Sequence, residues 1–151
     1  MAGETVTAAL MNTHVRDNFD AIGGAWTSYT PTLAQGASTN IAKTVIYAKY
    51  LSIGKLIIVQ VYLQATAGGT AGSAITVSLP VVAASFGFVV GSGFFYDASV
   101  TGYPAVVYLN STTNLSVVRA DAAGVGEIGS DPNIAVASSD ILRVSAMYEA
   151  L

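Results

Sequence analysis

The chain has 151 residues, with six Lys and Arg against nine Asp and Glu, a single histidine and no cysteine. That length carries one domain with its own core. The cysteine count excludes disulfides and thiolate metal sites, and six scattered basic residues give no basic stripe for nucleic acid. Only 10% of the residues are charged, against roughly 25% in ordinary soluble domains. Mean hydropathy is +0.57, yet the apolar run at 55–66 falls short of the roughly 18 residues of a membrane span, so no membrane insertion is expected. So few charges leave two readings of the surface. Either it is covered by Ser, Thr, Gly and Ala, or much of it is buried against copies of itself or a larger assembly.

Residues 1–6 read as a short arm carrying Glu4 and no basic run, so no signal peptide is expected. A helix is expected from Ala8 to about Ile22, with Thr7 as its N-cap and Gly23-Gly24 supplying a left-handed stop. Ala8, Met11, Val15 and Ile22 recur at spacings of three, four and seven, with Asn18 at the intervening position. That is an a/d seam about two heptads long, in which a polar Asn18 sets register. Leu10 and Phe19 widen the apolar stripe. A helix this short is marginal alone and needs a partner: its own sheet, sister helices or a host surface.

From Trp26 onward the patterns are those of strands. Residues 26–33 read as a strand, placed at an edge by Pro31. Residues 41–51 and 55–66 read as a hairpin turning at Ser52-Ile53-Gly54-Lys55. In its second arm Ile57, Val59, Val61 and Leu63 share one apolar face, while Leu56, Ile58, Gln60, Tyr62 and Gln64 share the other. Residues 74–79 alternate with Ile75, Val77 and Leu79 inward, and Pro80 ends them. Residues 86–96 carry Phe86, Phe88, Val90, Ser92, Phe94 and Tyr96 on one face. Gly87, Gly91 and Gly93 on the other predict a bulge or the close approach of another backbone. A hairpin over 105–109 and 115–120 follows, turning at 110–114, and then a long loop over 121–139 with a short strand near 134–137. The last strand, 141–149, places Leu142, Val144, Ala146 and Tyr148 on one side. The whole predicts a mainly β protein: an antiparallel β-sandwich or jelly-roll-like barrel of about eight strands, preceded by one short N-terminal α-helix. The break at Gly23-Gly24 divides an arm and attachment or trimerisation helix, 1–24, from a β-sandwich knob, 25–151.

No catalytic, cofactor or metal residues are assigned. His14 has no nucleophile or acid arranged around it, and no nucleophile elbow, Walker loop or zinc spacing occurs. Gly91-Ser-Gly93 lies in a strand and is too short for a phosphate cradle. Asp121, Glu127 and Asp131 share one loop without EF-hand spacing and read as solvated acids. The sequons at Asn110 and Asn114 read as turn residues. Tyr96, Tyr103 and Tyr108 fall near one loop region and are either a sugar-stacking platform or core tyrosines.

Two segments carry a family resemblance. Gly3-Glu-Thr-Val-Thr-Ala-Ala-Leu-Met-Asn-Thr-His-Val-Arg-Asp-Asn-Phe19 resembles the N-terminal attachment segment of many small structural proteins of tailed bacteriophages. Trp26 with Tyr29-Thr-Pro31, then Tyr50-Leu-Ser-Ile-Gly-Lys55, Val77-Ser-Leu-Pro80, Ser139-Asp-Ile-Leu and Tyr148-Glu149 resemble, in that order, the C-terminal β-domains of phage minor tail, tail-fibre and head-fibre proteins. The resemblance implies a non-enzymatic virion protein, usually a homotrimer, assembled in the host bacterial cytoplasm and displayed on the virion surface. Its partners would be its own copies and capsid or tail proteins. Many such proteins place long fibrous regions between attachment end and knob, which this chain lacks. The expectation is therefore a short trimeric knob, a head fibre, decoration or minor tail protein. The alternative is a host-envelope carbohydrate-binding (receptor-binding) tail-fibre module that takes a host-surface glycan.

Overall fold

The computed structural model describes residues 7–121 and 126–151, apart from the side chains of Asn18 and Ala21. The arm 1–6, the register role of Asn18 and part of the 121–139 loop therefore lie outside the described residues. The helix begins where its cap chemistry puts it. Thr7 is extended, and its hydroxyl accepts the Leu10 N–H at 3.1 Å. The helix is not uniform, however. An α-helical turn α1, Ala8–Met11, gives way to a π-helical turn, Asn12–Arg16, and then to α2, Asp17–Ile22. At the widened turn the Thr13 hydroxyl donates back to the Ala9 carbonyl at 3.0 Å. A five-residue hydrogen-bonded ring rotates everything that follows it, so the strict a/d seam is broken. The end also differs from expectation. Gly23 sits at φ −87° and ψ 11° and donates to the Phe19 carbonyl at 2.8 Å, an ordinary helical closure with no left-handed glycine.

Among the described residues nine strands follow: β1 Thr27–Ser28, β2 Leu33–Gln35, β3 Lys43–Ile53, β4 Leu56–Ala65, β5 Ile75–Ser78, β6 Val89–Tyr96, β7 Gly102–Leu109, β8 Asn114–Arg119 and β9 Ile141–Glu149. They form one curled antiparallel sheet in the order β1-β3-β4-β9-β6-β7-β8-β5-β2. The β3–β4 hairpin turns at Gly54, whose φ of 60° suits glycine in a tight two-residue turn. The expected single strand at 26–33 is instead two short strands on opposite edges of the sheet. Between them the segment 29–32 crosses over. The Tyr29 N–H donates to Ala48 on one edge at 3.1 Å, and the Thr32 N–H to the Ser78 hydroxyl near the other at 2.9 Å. Pro31 stands in that crossover, where its missing N–H breaks no ladder.

The curl leaves one face inside. Ile57, Val59, Val61 and Leu63 of β4 are each at most 3% exposed, beside Leu142, Val144, Ala146 and Tyr148 of β9. Each large aliphatic buried there contributes roughly 1.5–3 kcal/mol. The glycines of β6 answer a real crowding. A Cβ on Gly91 would collide with the Ser145 carbonyl and lie 2.7 Å from the Ala146 Cα, and the ladder bulges between Val89 and Gly91. The strand itself starts at Val89, later than expected. Phe86 and Phe88 precede it and are more than half exposed.

No strand forms near 134–137; a side chain holds that segment instead. Gln35, 1% exposed, accepts the Val136 N–H at 2.8 Å and donates to the carbonyls of Ile134 at 2.7 Å and Ser73 at 3.1 Å. One amide thus does the work of a strand edge for two loops. Gln35→Leu keeps the volume and strands two carbonyls and one N–H, each costing about 1–3 kcal/mol when buried. Urea unfolding of the variant is expected to show a loss of about 3 kcal/mol or more. A loss below about 1 kcal/mol would mean that water substitutes for the amide.

Asp140, also buried, enters β9 by accepting the N–H groups of Ala98 at 2.9 Å and Ala137 at 2.8 Å. Burial, aided by the nearby Asp97 charge, outweighs those two hydrogen bonds and raises its pKa. A raised folded-state pKa means that the folded chain holds the proton more tightly than the unfolded chain. The resulting stability is present below the ordinary aspartate range and is lost as pH rises through the raised value. Thermal melts from pH 3 to 7 should show that decline in the native chain. Asp140→Asn should remove it. Parallel pH profiles for the two proteins would refute the assignment.

Candidate functional site

Two regions of the surface are built unlike an ordinary solvated face. The first is the helix. Ala8 is exposed, and so are Met11 (53%), Val15 (42%), Phe19 (69%) and Ile22 (59%). The principal contact of the helix with the sheet is that of α2 with β3. The apolar stripe therefore does not serve as a cover for the domain's own core. The structure brings Val15, Phe19 and Ile22 together with His14 around a hollow of about 250 Å³. Ala8 and Met11 lie on the far side of the π turn and do not line it.

The second is the outer face of the sheet, and register alone assembles it. Tyr47 of β3 pairs with Tyr62 of β4, Tyr62 with Arg143 of β9, and Arg143 with Phe94 of β6. Partners in an antiparallel ladder point to the same side, so these four make one ridge across the strands. The Arg143 guanidinium donates to the Tyr62 hydroxyl at 3.2 Å and stands 4.5 Å from its ring centre. Phe94 lies across Gly102, where a Cβ would strike its ring. One step along the strands, Lys49 pairs with Gln60, Gln60 with Ser145, and Ser145 with Ser92. This second row is low because two of its members are serines. A further step brings Ile58 opposite Met147. The result is a trough with a polar floor, an aromatic wall and an aliphatic wall. A shallow, open hollow of about 570 Å³ lies along the aromatic side.

The three tyrosines singled out from the sequence do not form a platform. Tyr103 is inward and 8% exposed, stacked on Phe95 at 6.5 Å. Tyr96 and Tyr108 face outward, but Tyr96 pairs with Gly102 and Tyr108 with Val89, at opposite ends of the β6–β7 ladder. The parity was available: Tyr103 alternates with Ala105, Val107 and Leu109, all buried. The trough residues were harder to find, because they come from four separated segments.

Of the loop acids, Glu127 and Asp121 are engaged within the fold. Glu127 accepts from the Ser116 hydroxyl at 2.7 Å and the Asn110 amide at 3.1 Å, and Asp121 pairs with Arg119. Among the described residues, no three acidic or histidine side chains gather as metal ligands. Asn110 and Asn114 close the β7–β8 turn, where the Ser111 hydroxyl accepts the Asn114 N–H at 3.0 Å. No family model, no curated protein and no solved structure matches this chain.

Proposed function

We propose that this protein is a non-enzymatic structural component of a tailed-phage virion, a short homotrimeric surface knob anchored by its N-terminal helix. The observation that carries the reading is the exposed helical stripe of Met11, Val15, Phe19 and Ile22, left uncovered by the domain it precedes. Such a stripe stabilises little until something buries it. The scarcity of charge and the resemblance of residues 3–19 to phage attachment segments support the same reading. The helical stretch from residue 8 to 22 is short, about 22 Å at 1.5 Å per residue, which keeps the knob close to the particle. That favours a head-fibre or decoration role, with a minor tail role next. The alternative, recognition of a host-envelope carbohydrate, draws its support from the outer-face trough and not from Tyr96, Tyr103 and Tyr108.

Light scattering at micromolar concentration should give about three times the chain mass. A well-folded monomer would sink the trimer. The sharper experiment is Val15→Asp. Three like charges brought into one apolar contact cost several kcal/mol, so trimerisation or particle attachment should fail. Val15 is 42% exposed on its own chain, so the β-type circular dichroism and the melting temperature of the knob should be retained. A sharp fall in melting temperature would instead mean that the helix belongs to the monomer's core. Removing residues 1–22 should likewise leave a folded β-domain that no longer joins particles. Normal incorporation of the truncated chain would place attachment elsewhere.

A further inference from the structure

We infer that the outer-face trough across β3, β4, β9 and β6 is a binding site for a short acidic oligosaccharide, its carboxylate held by Arg143. Four observations converge on that chemistry.

The first is charge. The chain is net negative, with nine acids against six basic residues, yet among the described residues no carboxylate lines the hollow and Arg143 does. Arg143 makes no ion pair among the described residues. Its contacts are with Tyr62, whose hydroxyl takes one of its five N–H groups. Lys49 stands 5.4 Å from the Tyr47 ring centre at the β3 end of the floor. Two cations without a carboxylate between them complement an anion, and a guanidinium fork matches a carboxylate in two parallel hydrogen bonds.

The second is the floor. Gln60, Ser145 and Ser92 are exposed and adjacent across three strands. They offer an amide and two hydroxyls, each able to donate and accept. That suits a ligand with alternating hydroxyl groups better than an apolar one.

The third is the wall. Tyr62 and Phe94 flank Arg143 on its two neighbouring strands, so a carboxylate on the guanidinium has an aromatic ring on either side. A sugar ring has an apolar C–H face that packs on such rings while its hydroxyl edge faces the floor. From β3 to β6 the trough crosses three strand spacings, about 14 Å at roughly 4.8 Å each, room for two or three sugar units. The hollow of about 570 Å³ falls within the roughly 300–1,000 Å³ of small-ligand sites.

The fourth excludes rivals. An extended peptide binds a sheet by adding a strand at an edge. This trough lies on the face, with β4, β9 and β6 already paired on both sides. An apolar surface from a second copy would bury Arg143 without a counter-charge, which is costly.

The test uses the full chain. Uronate-containing tetrasaccharides, with galacturonate, mannuronate and glucuronate backbones, are titrated against neutral tetrasaccharides of matched linkage. Amide NMR shifts locate the contact. Binding of at least one acidic member is expected, with shifts confined to β3, β4, β9 and β6, and with affinity about tenfold or more above its neutral counterpart, the scale of one charged hydrogen bond. Arg143→Gln should abolish that difference. Ser145→Trp should fill the trough and remove binding altogether. Both side chains point outward, so melting temperatures should hold. If Ser145→Trp fails to fold, Ser92→Tyr blocks the same floor from β6.

No binding by any acidic tetrasaccharide at millimolar concentration overturns the proposal. So do shifts elsewhere on the surface, or an acidic preference that survives Arg143→Gln. If blocking the floor lowers the particle mass seen by light scattering, the face is a contact between copies and the proposal fails. None of these outcomes touches the anchoring role of the helix, which is read from Val15→Asp.

Discussion

The register of β9 between β4 and β6 is the constraint on which the rest depends. Without it the strands fall into two groups, β1-β3-β4 and β6-β7-β8-β5-β2, each with half a core. With it, Leu142, Val144, Ala146 and Tyr148 complete the interior, while Arg143, Ser145 and Met147 complete the outer face. A slip of one residue would exchange the two sets. Gly91 and Gly93 are part of the same constraint, because side chains there would collide with the β9 backbone at Ser145 and Arg143. Interior and outer surface are therefore two readings of a single pairing.

Polar groups carry the parts of the fold that strands do not. Gln35 joins the end of β2 to two loops that lie far beyond it in the sequence, at residue 73 and at residues 134–136. Asp140 fixes the entry to β9 from two backbone directions. Tyr148, whose pKa burial pushes up to about 12, donates to the Val81 carbonyl at 2.8 Å and ties β9 to the segment after β5. Among the described residues no buried side-chain nitrogen or oxygen lacks a partner. Such satisfaction lets a chain so poor in charge keep one arrangement of its loops.

Much of this was legible in the sequence, and what was not has physical reasons. The faces of β4 and β9 follow from simple alternation, and the β6 glycines announced a close backbone. The helix limits were marked by Thr7 and Gly23, although Gly23 closes the helix without the left-handed conformation expected there. The π turn did not, because apolar spacing in so short a helix cannot tell a four-residue ring from a five-residue one. Pro31 signalled an edge, but not that one segment would serve both edges. Gln35 reads like any polar residue near a loop, and its burial emerges only when residues 73 and 134–136 converge on it. Tyr103 was grouped with Tyr96 and Tyr108 by proximity in sequence, although parity separates it from both. The trough needed the register of four strands at once, and the family resemblance says nothing about it.

The insertion of β9 also sets an order in time. The hairpin β3–β4 and the meander β6–β8 pair neighbours in sequence and are complete before residue 141 is added to the growing chain. Until then β4 and β6 each present an unpaired edge, the kind of surface through which nascent β-proteins associate wrongly. Closing them joins Leu63 to Leu142 and Phe95 to Leu142, contacts so distant along the chain that their formation is slow relative to local pairing. A substitute strand completes the interior only if its alternation places apolar residues where Leu142, Val144 and Ala146 stand. The vacant slot in the half-made sheet is thus selective for the segment that belongs there.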